Sequence, residues 1–563
     1  MPDDEKSSVD EEAVDLKKYH IPEGADPMYT LTHLPNHTEK WWFRDPGMRR
    51  LSLGIFVGFC TSIIAGYDSA LMSGLLANDR FMDDLGNPSP SILGTLVASQ
   101  SIGSLPGLLP AVYVSDKLGR RKGMAFGYII LMGGAMTLAF TQGPWTFFAG
   151  RFVIGMGLGW NTVCGGPYTA EIAHPRNRAV TTALIMSCFY VGSIAAVWVV
   201  FGCLQIVGDS DWAWRAPLAS QCCLPIIVLA CLPWIPESPR WLIRHGHDRE
   251  AHDMLAKYHA NGDWHDPLVV YEMEDIKTAI AIEHLGDHTT WSTFVKTKGN
   301  RWRLGIILTA GICSQWVGNG MFSAVNEVTI AILETVGVNQ SSYQLLFKAG
   351  LKTWGWFSSV AGSLVCEHFG RRKMWLTSAI GQLIAYAVIT GCSALYTQGN
   401  DRAGPAVLTF IFVYLSFFAL AFSGLTLAYP IEILPYSMRS KGVSILLSAS
   451  LFANCLNVYI TPIALHTIEW RFYFVFIGVL TVTIPIIYFY FPETKGHMLE
   501  EIAEIFDGER PCRGGGASER KSSLARRKGV GVNFERTRYA STTVASLGYR
   551  NTLAELPMGA HAD

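Results

Sequence analysis

VSDKLGRRKG at residues 114–123 and VCEHFGRRKM at residues 365–374 are two copies of one motif, and each lies between apolar stretches. In each copy a carboxylate precedes the first arginine by four residues: Asp116 precedes Arg120, and Glu367 precedes Arg371. The two carboxylates are 251 residues apart. A motif that recurs at this distance in a chain of 563 residues indicates two related halves.

Two further landmarks recur at almost the same separation. YTAEIAHPRNR around Glu171 matches YPIEILPYSMR around Glu432, and in both an arginine follows seven residues later, Arg178 and Arg439. PESPRWL, which starts at residue 236, matches PETKG, which starts at residue 492. These separations are 261 and 256 residues, so three pairs of motifs agree within ten residues.

The composition favours a membrane protein, because 50% of the residues are hydrophobic and only 16% are charged. A helix needs about 20 apolar residues to cross roughly 30 Å of hydrocarbon. Twelve such runs start near residues 51, 91, 123, 145, 180, 216, 304, 343, 374, 405, 442 and 472. We therefore expect an all-α membrane protein with twelve transmembrane helices in two six-helix bundles. Because each half has an even number of spans, both cross the membrane in the same direction.

The polar stretches divide the chain into five regions. We expect a cytoplasmic N-terminal tail at 1–50, a first six-helix bundle at 51–242 and a cytoplasmic helical linker at 243–303. A second six-helix bundle follows at 304–497. The tail at 498–563 is rich in Gly, Ser and Arg, which predicts that it is largely disordered.

Basic residues predict the orientation of the spans. Eleven Lys and Arg residues lie in the loops after spans 2, 4, 8 and 10, against two in the loops on the other face. Cytoplasmic loops carry this excess, so both termini are predicted to be cytoplasmic. No removable signal peptide is apparent, and Asn339, in an outer loop, is a predicted glycosylation site. The net charge of −1 gives no indication of a nucleic-acid partner.

The motifs together resemble the sugar porters of the major facilitator superfamily, and within them the fungal branch that includes lactose and cellobiose permeases. The resemblance covers residues 51–507 and rests on nine motifs in family order. They are GYD at 66–68, DKLGRRKG, GRFVIGMGLG from 150, YTAEIAHPRNR, PESPRWL, SQWVGNG from 314, EHFGRRK, YPIEILPYSMRSKG and PETKG. The resemblance implies a monomeric carrier of the plasma membrane that works by alternating access, with no cofactor and no metal.

The resemblance also implies a cytoplasmic gate, a network of acids and arginines that ties the halves together when the transporter faces outward. Matched residue by residue, the gate comprises Asp116, Arg120, Glu171, Arg178, Glu237, Glu367, Arg371, Glu432, Arg439 and Glu493. The alternative is that these charges only set the topology of the spans.

Two charged residues lie deep within predicted spans. Asp68 is late in span 1 and Arg151 early in span 4, so both fall toward the extracellular half and could pair. Isolated charges in hydrocarbon cost at least about 2.5–3.5 kcal/mol, which favours a partner or water. In proton-coupled sugar porters, which this arrangement resembles, the acid takes up a proton and releases the arginine. The alternative is a static structural ion pair.

Span 7 carries Glu327 and span 8 carries Lys348 and Lys352, which share a helix face. Glu327 and Lys352 lie at similar depth by residue count, which favours a salt bridge between the two spans. A cationic lining for an acidic substrate and a position in the outer vestibule are the alternatives.

The predicted substrate contacts only partly follow the family pattern. Gln315, Asn319, Asn454 and Asn457 offer amides to hydroxyl groups, and Trp316 could stack on a ring or pack in the core. Met186 stands where the family usually has an amide, and Leu427 where many hexose carriers have Trp. Span 7 has Ala324 and Val325 where the family has paired Tyr. These differences favour a larger or less polar solute than a monosaccharide.

The sequence thus predicts a transporter that moves a sugar, either a hexose or a disaccharide such as lactose or cellobiose, together with a proton. A carrier or exporter of a non-sugar metabolite or organic acid remains an alternative, as does a sugar sensor that transports little. No arrangement of nucleophile, base and orienting acid appears in an aqueous context, which argues against an enzyme.

Overall fold

The computed structural model describes residues 43–506, with gaps at 77, 209, 287–290, 320–340, 399, 401, 423, 436–437, 496–501 and 503–504. Every regular element in the described part of the chain is helical. The α-helices are α1 (Pro46–Leu75), α2 (Asp79–Asp84), α3 (Pro90–Leu118), α4 (Arg120–Ala139), α5 (Pro144–Ile172), α6 (Arg178–Val207), α7 (Trp212–Ser220), α8 (Cys223–Cys231), α9 (Pro239–Arg244), α10 (Asp248–His259), α11 (Pro267–Gly286), α12 (Thr293–Lys296), α13 (Lys298–Cys313), α14 (Ser341–Phe369), α15 (Arg371–Thr397), α16 (Ala403–Ala421), α17 (Leu425–Ile433), α18 (Arg439–Ile468) and α19 (Tyr473–Tyr490).

Within these ranges, eight helical segments are long and apolar enough to cross a membrane, and α3 makes a ninth if its two parts form one span. α3 bends by 45° between Pro90–Leu108 and Pro110–Leu118, because prolines inside a helix remove backbone hydrogen bonds. α5, which carries Arg151 and Glu171, and α14, which carries Lys348 and Lys352, are not among these eight segments. The all-helical class is confirmed, and eight or nine helical segments have the length and composition of the predicted spans.

The buried apolar residues form two separate clusters. One runs from Leu51 to Ile280 and includes two residues of α14, Leu345 and Ala349. The other runs from Phe294 to Phe506. The main helix contacts follow the same division: α3 and α4 pack on α5 and α1 packs on α6, whereas α15 packs on α16 and α19 and α13 packs on α18. The two clusters correspond to the two sets of repeated motifs.

Glycines in α5 bring three helix backbones together. A Cβ on Gly159 would lie 2.5 Å from the carbonyl oxygen of Ser104 in α3, and a Cβ on Gly157 would lie 2.8 Å from that of Gly127 in α4. One turn before Gly159, a Cβ on Gly155 would lie even closer to the carbonyl oxygen of Gln100. The glycine spacing in GRFVIGMGLG therefore serves helix packing.

The two clusters meet through α3 with α18 and through α6 with α14. Near one end of these helices, a Cβ on Gly94 would lie 2.6 Å from the carbonyl oxygen of Tyr459. At the same end, Lys348 Nζ donates a 2.7 Å hydrogen bond to the carbonyl oxygen of Ser73. The repeated GRRK motifs lie at the opposite ends of the helices, where α3 meets α4 and α14 meets α15.

Helices α9 to α11 dock on the GRRK end of the first cluster. Asn261, which follows α10, accepts a hydrogen bond from the backbone N–H of Gly47 at 2.9 Å and donates one to Asp45 at 2.8 Å. Asp45 in turn caps the N-terminus of α1 by accepting from the backbone N–H of Met48. The segment after the sixth predicted span is thus fixed against the start of the first.

Candidate functional site

A buried ion pair joins α1 to α5. Arg151 Nη1 lies 3.1 Å from Asp68 Oδ1, and the side chains are only 3% and 2% exposed. Breaking a buried pair by removing one partner costs about 3–5 kcal/mol, so each residue constrains the other. The structure brings together the two deep charges that the sequence singled out.

Two glutamines, which sequence reasoning missed, complete this cluster. Arg151 Nη2 donates to Gln100 Oε1 of α3 at 2.8 Å, and Gln221 Nε2 donates to Asp68 Oδ1 at 3.3 Å. Each glutamine stands out in the sequence as an amide within an apolar run. The sequence does not show, however, which face of the helix the amide occupies. Asp68 and Gln221 also line a cavity of about 240 Å³ beside the ion pair.

The predicted substrate amides come from two elements that pack together. Gln315 and Trp316 are half-buried in a π-helical turn, Ser314–Asn319, which extends α13 and packs on α18. α18 carries Asn454 and Asn457, of which Asn457 is buried. Asn454 Nδ2 donates to Ser101 Oγ of α3 at 2.8 Å, so this amide joins the two clusters in the present arrangement. π-Helical turns are frequent at functional sites.

Several predicted residues lie outside the described part of the chain. Glu327 and Asn339 are in the gap at 320–340, and the side chains of Met186, Asn319 and Glu367 are also outside it. Lys352, the predicted partner of Glu327, is buried in α14. Both the Glu327–Lys352 salt bridge and the glycosylation of Asn339 therefore stay predictions.

The first GRRK motif builds a dense polar network between α3, α4 and α5. Arg120 pairs with Asp116 at 2.9 Å and with Glu171 at 3.4 Å. Glu237 accepts the backbone N–H groups of Arg120 and Arg121 at 3.0 and 3.2 Å, at the start of α4. Carboxylates are favourable at helix N-termini, where backbone N–H groups lack helical partners.

The second GRRK motif builds the same network in the other cluster. Arg371 pairs with Glu432 at 3.1 Å. Glu493 accepts the backbone N–H groups of Arg371 and Arg372 at 2.8 and 3.2 Å, at the start of α15. Thr494 donates to Glu432 at 2.6 Å, as Ser238 donates to Glu171 at 2.6 Å in the first cluster. The repeat is therefore retained down to individual hydrogen bonds.

The two remaining arginines of the predicted gate differ from this pattern. Arg178 Nη2 lies 3.4 Å from Glu272 Oε1 on α11, which belongs to the predicted linker. Arg439 Nε donates to the carbonyl oxygen of Leu434 at 3.2 Å, in the loop before α18. The structure thus adds a linker acid to the arginines and acids expected from the motifs.

Glu272 belongs to a buried cluster of linker and loop residues. His259 Nδ1 lies 2.7 Å from Glu272 Oε2, and His259 Nε2 lies 3.2 Å from the carbonyl oxygen of Ile172. Both ring nitrogens of His259 therefore face oxygen atoms that can accept a hydrogen bond. Burial alone would raise the pKa of Glu272, but His259 and Arg178 outweigh it and lower that pKa.

A second buried histidine packs on the first. The rings of His174 and His259 have centroids 5.1 Å apart, and His174 Nδ1 accepts from the backbone N–H of Arg176 at 3.2 Å. Burial and the neighbouring His259 lower the pKa of His174 to about 3. Sequence reasoning missed this cluster because its members lie up to 98 residues apart, between 174 and 272.

Comparison with known proteins connects these features to a family. A family model described as sugar (and other) transporter matches residues 54–506. The MFS-type transporter oryC of Aspergillus oryzae is 30% identical over 452 residues, which cover 78% of this chain and 82% of that protein. The sugar transporter STL1 of Saccharomyces cerevisiae is 27% identical over 507 residues, which cover 85% of each.

The fold is also similar to solved structures. XylE, the proton:xylose symporter of E. coli, bound to 6-bromo-6-deoxy-D-glucose, matches with a TM-score of 0.66 and 22% identity, and the match covers 81% of this chain and 99% of XylE. At this identity the match concerns the fold. The family model spans most of the chain and includes the Asp68–Arg151 pair and both GRRK networks, and the chain therefore belongs to the sugar (and other) transporter family of the major facilitator superfamily.

Proposed function

We propose that the chain is a secondary active transporter that moves a sugar across the plasma membrane together with a proton, by alternating access. The observation that carries the proposal is the Asp68–Arg151 pair, which is buried between α1 and α5. Ionisable residues buried in membrane spans are costly, and they commonly mark ion or proton pathways.

The pair can couple a proton to a change of shape. The proton affinity of a carboxylate depends on whether it faces an arginine, an apolar wall or water. When Asp68 takes up a proton, its attraction to Arg151 falls, and the arginine keeps its bond to Gln100. The contact between α1 and α5 then weakens, whereas α3 and α5 stay joined.

The substrate would lie between the two clusters, near the amides of the π-helical turn and α18. Each sugar hydroxyl that loses water needs a matching hydrogen bond, because an unmatched buried polar group costs about 1–3 kcal/mol. Gln315, Asn454 and Asn457 supply such groups, with Trp316 as a candidate stacking surface. Asn454 would exchange its bond to Ser101 for a substrate hydroxyl when the halves separate.

The rest of the architecture follows the repeat. We propose twelve spans in two bundles at 51–242 and 304–497, a linker at 243–303 and two cytoplasmic tails, in a monomer. The two GRRK networks lie on the cytoplasmic side and form the gate there. The contacts of Gly94 with Tyr459 and of Lys348 with Ser73 would then close the extracellular side.

A carrier of a non-sugar metabolite is the second candidate. Met186 stands where the family usually has an amide and Leu427 where many hexose carriers have Trp, and these differences favour a larger or less polar solute. The relative in Aspergillus oryzae is named only as an MFS-type transporter, without a sugar. A non-transporting sensor would show binding without uptake.

Radiolabelled uptake in cells without their own carriers tests the proposal. Hexoses, disaccharides and organic acids are offered separately, with and without a protonophore. We expect accumulation of a sugar that the protonophore abolishes. Asp68→Asn should abolish accumulation but leave exchange of labelled for unlabelled sugar, whereas Asp83→Asn, at the exposed surface, should behave like the native chain. Protonophore-sensitive accumulation by Asp68→Asn would refute proton coupling through this residue.

A further inference from the structure

The sixth predicted span is broken beside the buried ion pair. α7 ends at Ser220 and α8 begins at Cys223, so Gln221 and Cys222 lie between the two helices. Pro225 has no backbone N–H and cannot donate to the carbonyl oxygen of Gln221, four residues earlier. On the other side of the break, the backbone N–H of Gln221 donates to the carbonyl oxygen of Leu218, only three residues back, at 3.3 Å. The break places the Gln221 side chain against Asp68.

The hydrogen bonds on Asp68 are unevenly shared between its two oxygens. Arg151 and Gln221 both donate to Oδ1, at 3.1 and 3.3 Å. Asp68 Oδ2 is buried and, within the described residues, accepts no hydrogen bond. The same holds for Gln221 Oε1, the other end of the amide that donates to Asp68. Buried polar atoms without partners are rare and costly, so this pair of oxygens calls for an explanation.

The cavity of about 240 Å³ gives the Gln221 amide room to rotate. Its walls are mostly apolar and include Leu131 of α4 together with Ala195 and Val199 of α6, none of which titrates. Among the described residues, the titratable or charged groups that contact Asp68 or line this cavity are Arg151 from α5, Tyr67 on the helix of Asp68 and Cys223 at the start of α8. Gln221 is thus held toward Asp68 by its hydrogen bond and not by tight packing.

We propose that Gln221 is a positioning residue for the proton carried by Asp68, donating to the carboxylate and, after a half-turn of its amide, accepting from the carboxylic acid. This inference rests on the proposed proton coupling. In the loading step a hydronium ion gives its proton to Asp68 Oδ2 and leaves a water molecule. Rotation of the carboxyl group then turns the new O–H to the side that Gln221 faces. There it donates to Oε1 of the turned amide, an atom that has no partner among the described residues beforehand.

An amide suits this task because it offers a donor and an acceptor of nearly equal shape. A glutamate at position 221 would place a second negative charge beside Asp68, which favours the protonated form of one of the two. A methionine would fill a similar volume but neither donate nor accept. The two substitutions therefore separate charge, hydrogen bonding and packing.

Infrared difference spectroscopy of the purified full chain through a pH series measures the protonation of Asp68 and the hydrogen bonding of its acid form. It needs no transported substrate. The C=O band of protonated Asp68 is assigned by its disappearance in Asp68→Asn. We expect Gln221→Glu to raise the pH midpoint of this band by about one unit or more. Gln221→Met should shift the frequency of the band, because the acid loses its hydrogen-bond acceptor.

Gln382→Met is the matched control, since Gln382 of α15 is also buried, donates to Ser378 at 3.0 Å and leaves its Oε1 without a partner among the described residues. This variant should change neither the midpoint nor the frequency. Midpoints and frequencies that stay unchanged in both Gln221 variants would overturn the role of Gln221 while leaving proton coupling intact. If no Asp68 band titrates in the native chain, proton coupling itself fails, and with it this inference.

Discussion

Glu237 and Glu493 occupy equivalent positions in the two halves, 256 residues apart, and each caps the helix that begins with a GRRK arginine pair. Glu237 Oε1 lies 3.0 Å from the backbone nitrogen of Arg120, and Glu493 Oε1 lies 2.8 Å from that of Arg371. Each carboxylate belongs to a PES or PET motif far along the chain from the helix that it caps. Within each half, the PES or PET motif is thus hydrogen-bonded to the GRRK motif, which explains why the two motifs recur together.

Substitution of the glycine before each capped helix should destabilise the fold. Gly119 and Gly370 have φ values of 98° and 89°, which side chains rarely adopt. A Cβ there would also lie 2.5 and 2.8 Å from a carboxylate oxygen of Glu237 and Glu493. We expect Gly119→Ala to destabilise the fold by about 1–3 kcal/mol, measured by thermal unfolding in detergent.

Gly133→Ala, in the middle of α4 with open space around its Cα, is the matched control and should be neutral or slightly stabilising. Equal unfolding temperatures for the Gly119 and Gly133 variants would show that the carboxylate cap does not depend on this backbone conformation.

The sequence predicted the class of fold from its apolar runs and repeated motifs, whereas the residues of the GRRK networks followed from the resemblance to sugar porters. It also identified Asp68 and Arg151, since charges are conspicuous in apolar runs. Gln221 was not identified, because an amide in such a run is common and its contact with Asp68 depends on a helix break. The partnership of Arg178 with Glu272 depends on how the linker docks, which short-range patterns do not encode.

Alternating access predicts that the contact between α3 and α18 opens during transport. The side chains of Ser101 and Asn454 are 2.8 Å apart in this structure. With Ser101→Cys and Asn454→Cys combined, we expect a mild oxidant to form a disulfide that stops the uptake remaining without the Asn454 amide, and a reductant to restore that remaining uptake. Each single variant serves as control for the loss of the polar groups and for oxidation of native cysteines. Equal uptake by the oxidised and reduced double variants, with the cross-link verified by mass spectrometry, would contradict opening at this contact.

Linker docking should depend strongly on Glu272. Glu272→Gln leaves Arg178 and His259 beside a neutral amide, and removing one partner from a buried ionic cluster costs about 3–5 kcal/mol. Hydrogen exchange would show the weaker docking of the linker as faster exchange of the backbone amides of α10 and α11. Lys277→Ala is a suitable control, because its pair with Asp248 joins the same two helices at 2.6 Å but is about half exposed. Surface pairs contribute roughly 0–1 kcal/mol, so equal effects of the two variants would argue against a dominant role of the buried cluster.

Linker docking should also weaken in acid because of His174. Its folded pKa of about 3 is lower than its ordinary value of 6.5, so between these values the unfolded loop binds a proton that the folded one excludes. The docked state therefore loses stability as the pH falls through this window, by at most about 1.4 kcal/mol per pH unit for one such group. Glu272, whose pKa is lowered, adds a loss of the same sign, since its docked form is stabilised only while it is ionised.

His174→Asn separates the two contributions, because asparagine can still accept from the backbone N–H of Arg176 but does not titrate. Hydrogen exchange of α10 and α11, corrected for the intrinsic pH dependence of exchange, should show a smaller loss of protection in acid for this variant than for the native chain. His265→Asn, at an exposed linker position, should keep the native pH dependence. A His174→Asn profile that coincides with the native one would show that proton uptake by His174 does not cause the acid sensitivity, which would then be assigned to Glu272.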